Sequence, residues 1–332
     1  MKATAIANAN VALIKYWGKR NEELILPFNS NIGITCDGLT TKTTVEFSTK
    51  YNSYTDHHIV INDEEFKRDE KNVQGQLDRI SKIAGVELKA KVVSETNFPV
   101  AAGLASSTSG FAALTLAACE ALGLKYSSRD LSILVRRGSG SATRSVMGGF
   151  VLWNKGIKSD GTDSFAEELF DKNYWPEFRM IATIVNTKKK SIGSRAGMSQ
   201  TVQTCPFFNS WVTSTEIDLL NMRKAINKKD FKLLGETTEF NALKMHATMI
   251  ASKPAIIYWN SSTMNIINMV YKMREAGIEI YFTIDAGPNV KILCLKKDEI
   301  QITKVLKSLK VVIGTISCTL GDGVRLTNEH LF

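Results

Sequence analysis

Four stretches of this 332-residue chain gather hydroxyls, glycines and cations in a way that suits an anionic ligand. Residues 97–110 form a polar, glycine-bearing loop containing Gly103, Leu104, Ala105, Ser106, Ser107 and Thr108. The loop opens into an Ala- and Leu-rich run, residues 111–122, with no internal Gly or Pro and Gly123 at its end. That composition predicts a helix. Free N–H groups and the dipole at a helix N-terminus favour phosphate, and the three hydroxyls could donate to it or help hold a metal on it. The loop has no lysine, so it is not the lysine-bearing P-loop. An ordinary serine-capped buried helix would use the same residues.

A second dense loop follows at Arg136-Arg137-Gly138-Ser139-Gly140-Ser141-Ala142-Thr143-Arg144. Its glycines permit a tight backbone path, its serines offer donors, and Arg144 offers a planar fork for a carboxylate or phosphate. Lys15-Tyr16-Trp17-Gly18-Lys19-Arg20 packs two aromatic rings and three cations into six residues. It reads either as a rim-packed aromatic pair with solvated lysines or as a wall presenting cations to an anion. Lys188-Lys189-Lys190-Ser191-Ile192-Gly193-Ser194-Arg195 is a basic, hydroxyl-bearing loop, or a solvated linker.

Set against these cations is one isolated carboxylate, Asp285, at the end of the apolar run 278–284. Partial burial there would tune it or fix it against a cation; a plain Asx-turn is the alternative. Phosphoryl transfer needs mainly positioning and charge neutralisation, with a carboxylate to orient the accepting hydroxyl. The parts suit a nucleotide-using enzyme acting on a small acidic or phosphorylated hydroxy compound.

The elements that must position these loops alternate between strands and helices. Strands are expected at residues 3–15, interrupted by Asn8 and Asn10, then as two consecutive strands at 29–35 and 41–49. A polar turn at 51–58 would leave His57 and His58 solvated rather than metal-bound. A short hairpin turn at 60–64, an amphipathic helix at 72–84 and a strand at 88–94 lead to the first loop. Ser128 is the expected cap of a helix at 129–135, followed by a strand at 149–153, an acidic solvent-facing helix or loop at 160–171 and a buried strand at 178–186. Helices at 210–227, 230–249 and 262–276 come next, with His246 read as a packed residue. A strand pair at 278–284 and 290–295, a helix at 298–309 and a strand at 311–318 complete the chain. The order predicts an α+β protein of two domains, residues 1–185 and 186–332.

Composition narrows the partners. At 44% hydrophobic and 23% charged, the chain is that of an ordinary globular protein. The net charge of +9 is spread along the sequence, which suits a small anionic substrate better than nucleic acid. The N-terminus is too short and polar before Lys15 for a signal peptide, and no apolar run reaches membrane-spanning length. Five widely spaced cysteines suit a cytoplasmic protein with buried thiols.

The 15–20 stretch, residues 97–107, residues 137–144 followed by Gly148-Gly149-Phe150, and Asp285-Ala286-Gly287-Pro288-Asn289 together resemble, in order along nearly the whole chain, the motifs of the diphosphomevalonate decarboxylase family of the GHMP kinase superfamily. The resemblance implies a two-domain fold with a ribosomal protein S5 domain 2-like nucleotide-binding half, an α/β-sandwich C-terminal half and the active site in the cleft between them. It implies conversion of mevalonate 5-diphosphate and ATP into isopentenyl diphosphate, ADP, phosphate and CO2, commonly by a homodimer. Carried over by position, Asp285 would face the C3 hydroxyl as base or orienter, with Lys19 beside that oxygen and the carboxylate. Arg144 would bind the substrate carboxylate, with Ser139 and Ser141 supporting substrate orientation and Gly140, Ala142 and Thr143 also in the substrate site. Tyr16, Ser194 and Arg195 would hold the diphosphate end, with Trp17 and Gly18 also in the substrate site. Residues 103–108 would receive the phosphates of ATP, with Ser107 a candidate ligand of Mg2+. Relatives acting on the monophosphate, phosphorylating without decarboxylation or decarboxylating a bisphosphate are the neighbouring alternatives, and a non-catalytic nucleotide- or metabolite-binding protein on the same scaffold is the alternative from another class.

Overall fold

Alanine at alternate positions early in the chain lets a helix lie close against the first strand, and the N-terminal half is built on that contact. The computed structural model describes residues 1–54, 56–65, 71–99, 106–185 and 192–332. The N-terminal half runs β1 (Lys2–Ala12), β2 (Lys19–Asn21), β3 (Leu26–Pro27), β4 (Asn31–Phe47), β5 (His58–Ile61), β6 (Glu64–Glu65), α1 (Lys71–Ile83), β7 (Ala90–Thr96), α2 (Ser106–Ala121), α3 (Ser128–Arg136), a 3-10 turn at Gly140–Val146, β8 (Phe150–Trp153) and β9 (Ala166–Phe170). The C-terminal half runs β10 (Phe178–Ile184), α4 (Ser194–Thr204), α5 (Phe208–Lys228), α6 (Phe231–Ile250), α7 (Ser261–Glu275), β11 (Tyr281–Ile284), β12 (Val290–Leu295), α8 (Lys296–Ser308), β13 (Gly314–Cys318) and β14 (Arg325–Thr327).

Eight strands form one sheet, ordered β14-β1-β4-β7-β5-β6 with β8 also on β4 and β9 beyond it. Four antiparallel strands, β11-β12-β10-β13, form another. Ala3, Ala5 and Ala7 of β1 pack with Ala112, Ala113, Ala117 and Ala118 of α2 in one core. A second core fills the space between the sheets, where Val11, Ile32, Ile34 and Phe150 meet Phe178, Met180 and Leu293. Such interdigitated apolar layers supply most of the favourable folding free energy.

A register shift between Asn8 and Asn10 reverses the alternation of β1. Before it the odd-numbered alanines face the helices; beyond it Val11 faces the second sheet and Asn10 faces the helix layer. A bulge re-aims side chains in this way, and here it turns Asn10 toward the cleft. Across the shift, the two strands expected at 29–35 and 41–49 are the single 17-residue β4, which carries its extra residues at the irregularity near Gly38 (φ +95°).

Other expectations shift as well. The acidic stretch at 160–171 is not helical: residues 166–170 form β9, whose Glu167 and Glu168 are exposed beside β8. Ser127, not Ser128, caps α3 by accepting from the Asp130 N–H. His57 is buried rather than solvated. Its Nδ1 accepts from the Ala90 N–H (2.8 Å) and Nε2 lies 3.0 Å from Asp78, so the side chain replaces backbone partners that burial would leave unmet. β10 pairs within the second sheet, and β14 returns from the end of the chain to pair with β1. No helix among the described residues is long and apolar enough to cross a membrane.

Candidate active site

The ends of β1 and β11, the first turns of α2 and α4, and the 3-10 turn surround a cleft of about 780 Å³. Tyr16, Trp17, Lys19, Ser139, Gly140, Ser141 and Arg144 stand on its wall, as do Ser106, Ser107 and Thr108, Ser194 and Arg195, and Asp285. Gly18, Ala142 and Thr143 do not line it. Gly103, Leu104 and Ala105, and Lys188 to Ser191, lie outside the described residues.

Asp285 follows directly on β11, and its carboxylate is held by two lysines. Lys15 Nζ donates to Oδ1 at 2.6 Å, and Lys291 Nζ lies 3.0 Å from Oδ2. Both lysine side chains are 1% exposed, whereas the carboxylate is 26% exposed. Burial pushes the Asp285 carboxyl upward, but the two ammonium groups outweigh it and hold it well below the usual carboxylate range. Burial is also the largest influence on Lys15, which falls from 10.5 to about 8 although Asp285 pulls it back up. Lys19, expected beside the substrate oxygen and carboxylate, lines the same cleft from the β2–β3 hairpin and pairs through Nζ with Glu22.

Three residues of this centre were missed in the sequence. Lys15 stands in its motif as one cation among three, with nothing local to single it out. Lys291 carried a usable signal, a lysine inside the apolar strand Val290–Leu295, because a lysine is seldom fully buried unless paired. Asn10 carried another as a break in an apolar strand.

Arg144 is 2% exposed. Its Nε donates to Asn10 Oδ1 at 3.0 Å and its Nη1 to Asn31 Oδ1. A Cβ on Gly33 would lie 2.8 Å from Arg144 Nε, so the absence of a side chain there makes room for the guanidinium. Burial lowers Arg144 to about 10, partly offset by Asp285 and Tyr16. Asn10 joins the parts, donating from Nδ2 to the Ser141 carbonyl (2.9 Å) and Ser145 Oγ (2.8 Å), while its backbone N–H donates to Thr108 Oγ1 (3.1 Å).

The aromatic pair forms part of the cleft wall, and Lys15 and Lys19 beside it are buried rather than solvated. Tyr16 meets Trp153 edge-on at 4.7 Å, and Trp17 meets Tyr258 at 6.4 Å. Tyr16 Oη is buried without a hydrogen-bond partner among the described residues, and burial pushes its ionisation upward. An unmet donor on a cleft wall is poised for a ligand oxygen. Gly18 holds the turn behind this wall at φ +95°, where a Cβ would lie 2.5 Å from the Phe208 ring. Gly18→Ala is therefore expected to cost about 2 kcal/mol or more of stability, read as a lower urea midpoint; an unchanged midpoint would show that the ring yields freely.

Ser194 and Arg195 open α4 rather than lying in a loop. Arg195 Nη2 donates to the Gly138 carbonyl at 2.6 Å and Nη1 to Asn72, so the side chain spans the cleft toward α1. Burial lowers its ionisation. Ser106 and Ser107 start α2, with Ser107 exposed. The first turn of that 16-residue helix offers N–H donors and hydroxyl oxygen, which suit a phosphate and its magnesium. Among the described residues no group of three or more His, Cys, Asp or Glu could hold a metal ion.

An eight-stranded sheet backed by helices, a four-stranded partner sheet and a cleft at their junction lined by lysine, arginine and serine side chains define a two-domain α+β GHMP kinase fold. Comparison with known proteins narrows the class. Residues 7–166 match the diphosphomevalonate decarboxylase-like N-terminal domain, and residues 180–320 match the mevalonate 5-diphosphate decarboxylase C-terminal domain. A solved complex described as MDDEF with MVAPP, AMPPCP and magnesium is 41% identical, covering 98% of this chain and 99% of that one, with a TM-score of 0.91. A structure of the mevalonate diphosphate decarboxylase from Enterococcus faecalis is 41% identical over the same shares, with a TM-score of 0.90. Diphosphomevalonate decarboxylase mvd1 of Aspergillus fumigatus is 36% identical over 344 residues, covering 98% of this chain and 82% of the relative. The chain belongs to the diphosphomevalonate decarboxylase family.

Proposed function

We propose that the protein decarboxylates mevalonate 5-diphosphate at the expense of ATP, releasing isopentenyl diphosphate, ADP, phosphate and CO2. The observation that carries this reading is one carboxylate, Asp285, gripped by Lys15 and Lys291 in the same cleft as the buried Arg144.

In this reading Arg144 pins the substrate carboxylate and Asp285 accepts a hydrogen bond from the C3 hydroxyl. A carboxylate held so far down orients the hydroxyl without removing its proton in advance. Transfer of the γ-phosphoryl group to that oxygen breaks the bond to ADP, the hydroxyl proton leaves along its hydrogen bond to Asp285 as the new O–P bond forms, and the C3 oxygen becomes part of a good leaving group. Phosphate departs with its C–O electron pair, and the C–C bond to the carboxylate breaks to release CO2 and supply the electrons of the new double bond. Tyr16, Ser194 and Arg195 would hold the diphosphate, and the start of α2 the ATP phosphates. Magnesium would supply charge neutralisation on those phosphates, with Ser107 the candidate protein oxygen. The neighbour described with MVAPP, AMPPCP and magnesium supports this ligand set.

The test is parallel ADP and CO2 release with ATP and Mg2+ on mevalonate, its 5-phosphate, its 3,5-bisphosphate and its 5-diphosphate. One CO2 per ADP with the diphosphate alone supports the proposal. ADP without CO2 makes the protein a 3-kinase, preference for the monophosphate moves the substrate, and CO2 from the bisphosphate without ADP removes the ATP step.

Lys15 gives a pH prediction. Its charge is lost as pH rises through about 8, loosening one side of Asp285, so kcat/KM should fall along an alkaline limb near that value. Stability runs the opposite way. Because the folded value lies below the ordinary 10.5, the native state bears the cost of the buried charge below about 8, and that cost is relieved between there and 10.5. A flat profile from pH 7 to 9.5 would remove Lys15 from this role.

We also infer a cytoplasmic homodimer. All five cysteines are buried and unpaired, which supports the location. Exposed Ile217 and Leu220 on α5 and Phe240 on α6 support self-association.

A further inference from the structure

Lys15 and Asp285 meet across the junction of the two halves, 270 residues apart in sequence, so something must set their separation. Helix α6 touches the backbone at both. Asn241 Oδ1 accepts from the Lys15 backbone N–H at 2.7 Å, and His246 Nε2 lies 3.3 Å from the carbonyl of Ile284, the residue before Asp285. A carbonyl only accepts, so Nε2 carries the hydrogen. Asn241 is fully buried and His246 is 2% exposed. Between them Met245 faces the cleft.

Each contact is itself braced. Asn241 Nδ2 donates to Asp218 Oδ2 of α5 at 2.7 Å, and Lys244 Nζ closes on the same oxygen at 2.6 Å, which fixes the orientation of the Asn241 amide. The His246 ring lies against Trp259 with centroids 4.8 Å apart. On the far side, Asn29 Nδ2 donates to the Lys15 carbonyl at 2.8 Å, so this residue's backbone is held from both directions. Five residues of helix span about 7.5 Å along its axis, a stiff spacer between the two attachment points.

We propose that Asn241 and His246 are positioning residues, and that α6 acts as a ruler setting the Lys15–Asp285 contact in register for the reaction. The proposal rests on the functional reading above. His246 is neutral in this role: burial first, then the nearby Lys15 charge, lowers it to about 3. The imidazole therefore acts as a fixed donor and not as an acid or base.

The experiment is steady-state kinetics on the full chain with mevalonate 5-diphosphate, ATP and Mg2+, for wild type, His246→Leu, His246→Gln and Asn241→Ala, with circular dichroism to verify folding. His246→Leu should lower kcat about 10- to 100-fold while KM stays within about threefold, because misplacement by a fraction of an ångström penalises the chemical step more than binding. His246→Gln, whose amide N–H can reach the same carbonyl, should recover most of that loss. Asn241→Ala should give the same kcat-selective loss and carries the test if His246→Leu does not fold. A folded His246→Leu with wild-type kcat and only a lower Tm, or a loss that His246→Gln leaves unrepaired, overturns the positioning role. Wild-type protein inert toward every mevalonate ester overturns the functional reading itself, and this proposal with it.

Discussion

Asp285→Asn is expected to abolish release of ADP and CO2 together, with kcat falling by about 10³-fold or more. The amide would stand where a charged carboxylate holds Lys15 at 2.6 Å and Lys291 at 3.0 Å, and it would offer a single acceptor to two buried ammonium groups. Removing one partner of a buried ion pair costs about 3–5 kcal/mol, and the partial exposure of Asp285 sets the expectation toward the lower end. Lys15 provides relief. With its counter-charge gone it should lose its proton below the present value of about 8, so the variant becomes more stable as the pH rises through neutrality. Urea unfolding at pH 6 and pH 9 reads the stability half, and the coupled ADP and CO2 assay reads the chemical half. ADP release at the wild-type rate would show that the carboxylate is not needed for phosphoryl transfer.

Arg144→Gln should lower kcat/KM for mevalonate 5-diphosphate by about 10²- to 10³-fold, the range seen when one preorganised charged donor is removed from a water-poor site. Glutamine is shorter and neutral, so it cannot both pin a carboxylate and fill the space that Gly33 leaves. Asn10 Oδ1 and Asn31 Oδ1 would each lose a donor, at about 1–3 kcal/mol for each acceptor left unmet. Because Asn10 also ties the 3-10 turn to the first turn of α2, ATP binding should weaken too, though less than substrate binding. Titration of each ligand separately tests this order. Equal weakening of both would mean that the substitution loosens the whole junction instead of removing one contact. Arg144→Lys should repair only part of the deficit, since an ammonium lacks the planar fork that reaches two asparagines at once.

What the chain determined by itself was chemistry and periodicity. The glycine, serine and arginine content of the loops, the isolated Asp285, and the apolar spacing of α2, α5, α6 and α7 all follow from local residue types, which act over a few neighbours. Single-residue geometry lies near that limit: the turn at Gly18 was visible as a glycine, but the Phe208 ring that makes it obligatory lies 190 positions away. Folding alone decided which lysine meets Asp285. Lys15 and Lys19 share one motif and look interchangeable there, but β1 ends so that Lys15 points into the junction, while the β2–β3 hairpin turns Lys19 toward Glu22. Lys291 joined the centre because β12 pairs with β11 and brings its side chain beside Asp285. Asn10 faces Arg144 because a bulge shifts the alternation of β1 by one residue. Ion pairing, register and burial depend on segments far apart in sequence, and only the packed sheets bring those segments within hydrogen-bond distance.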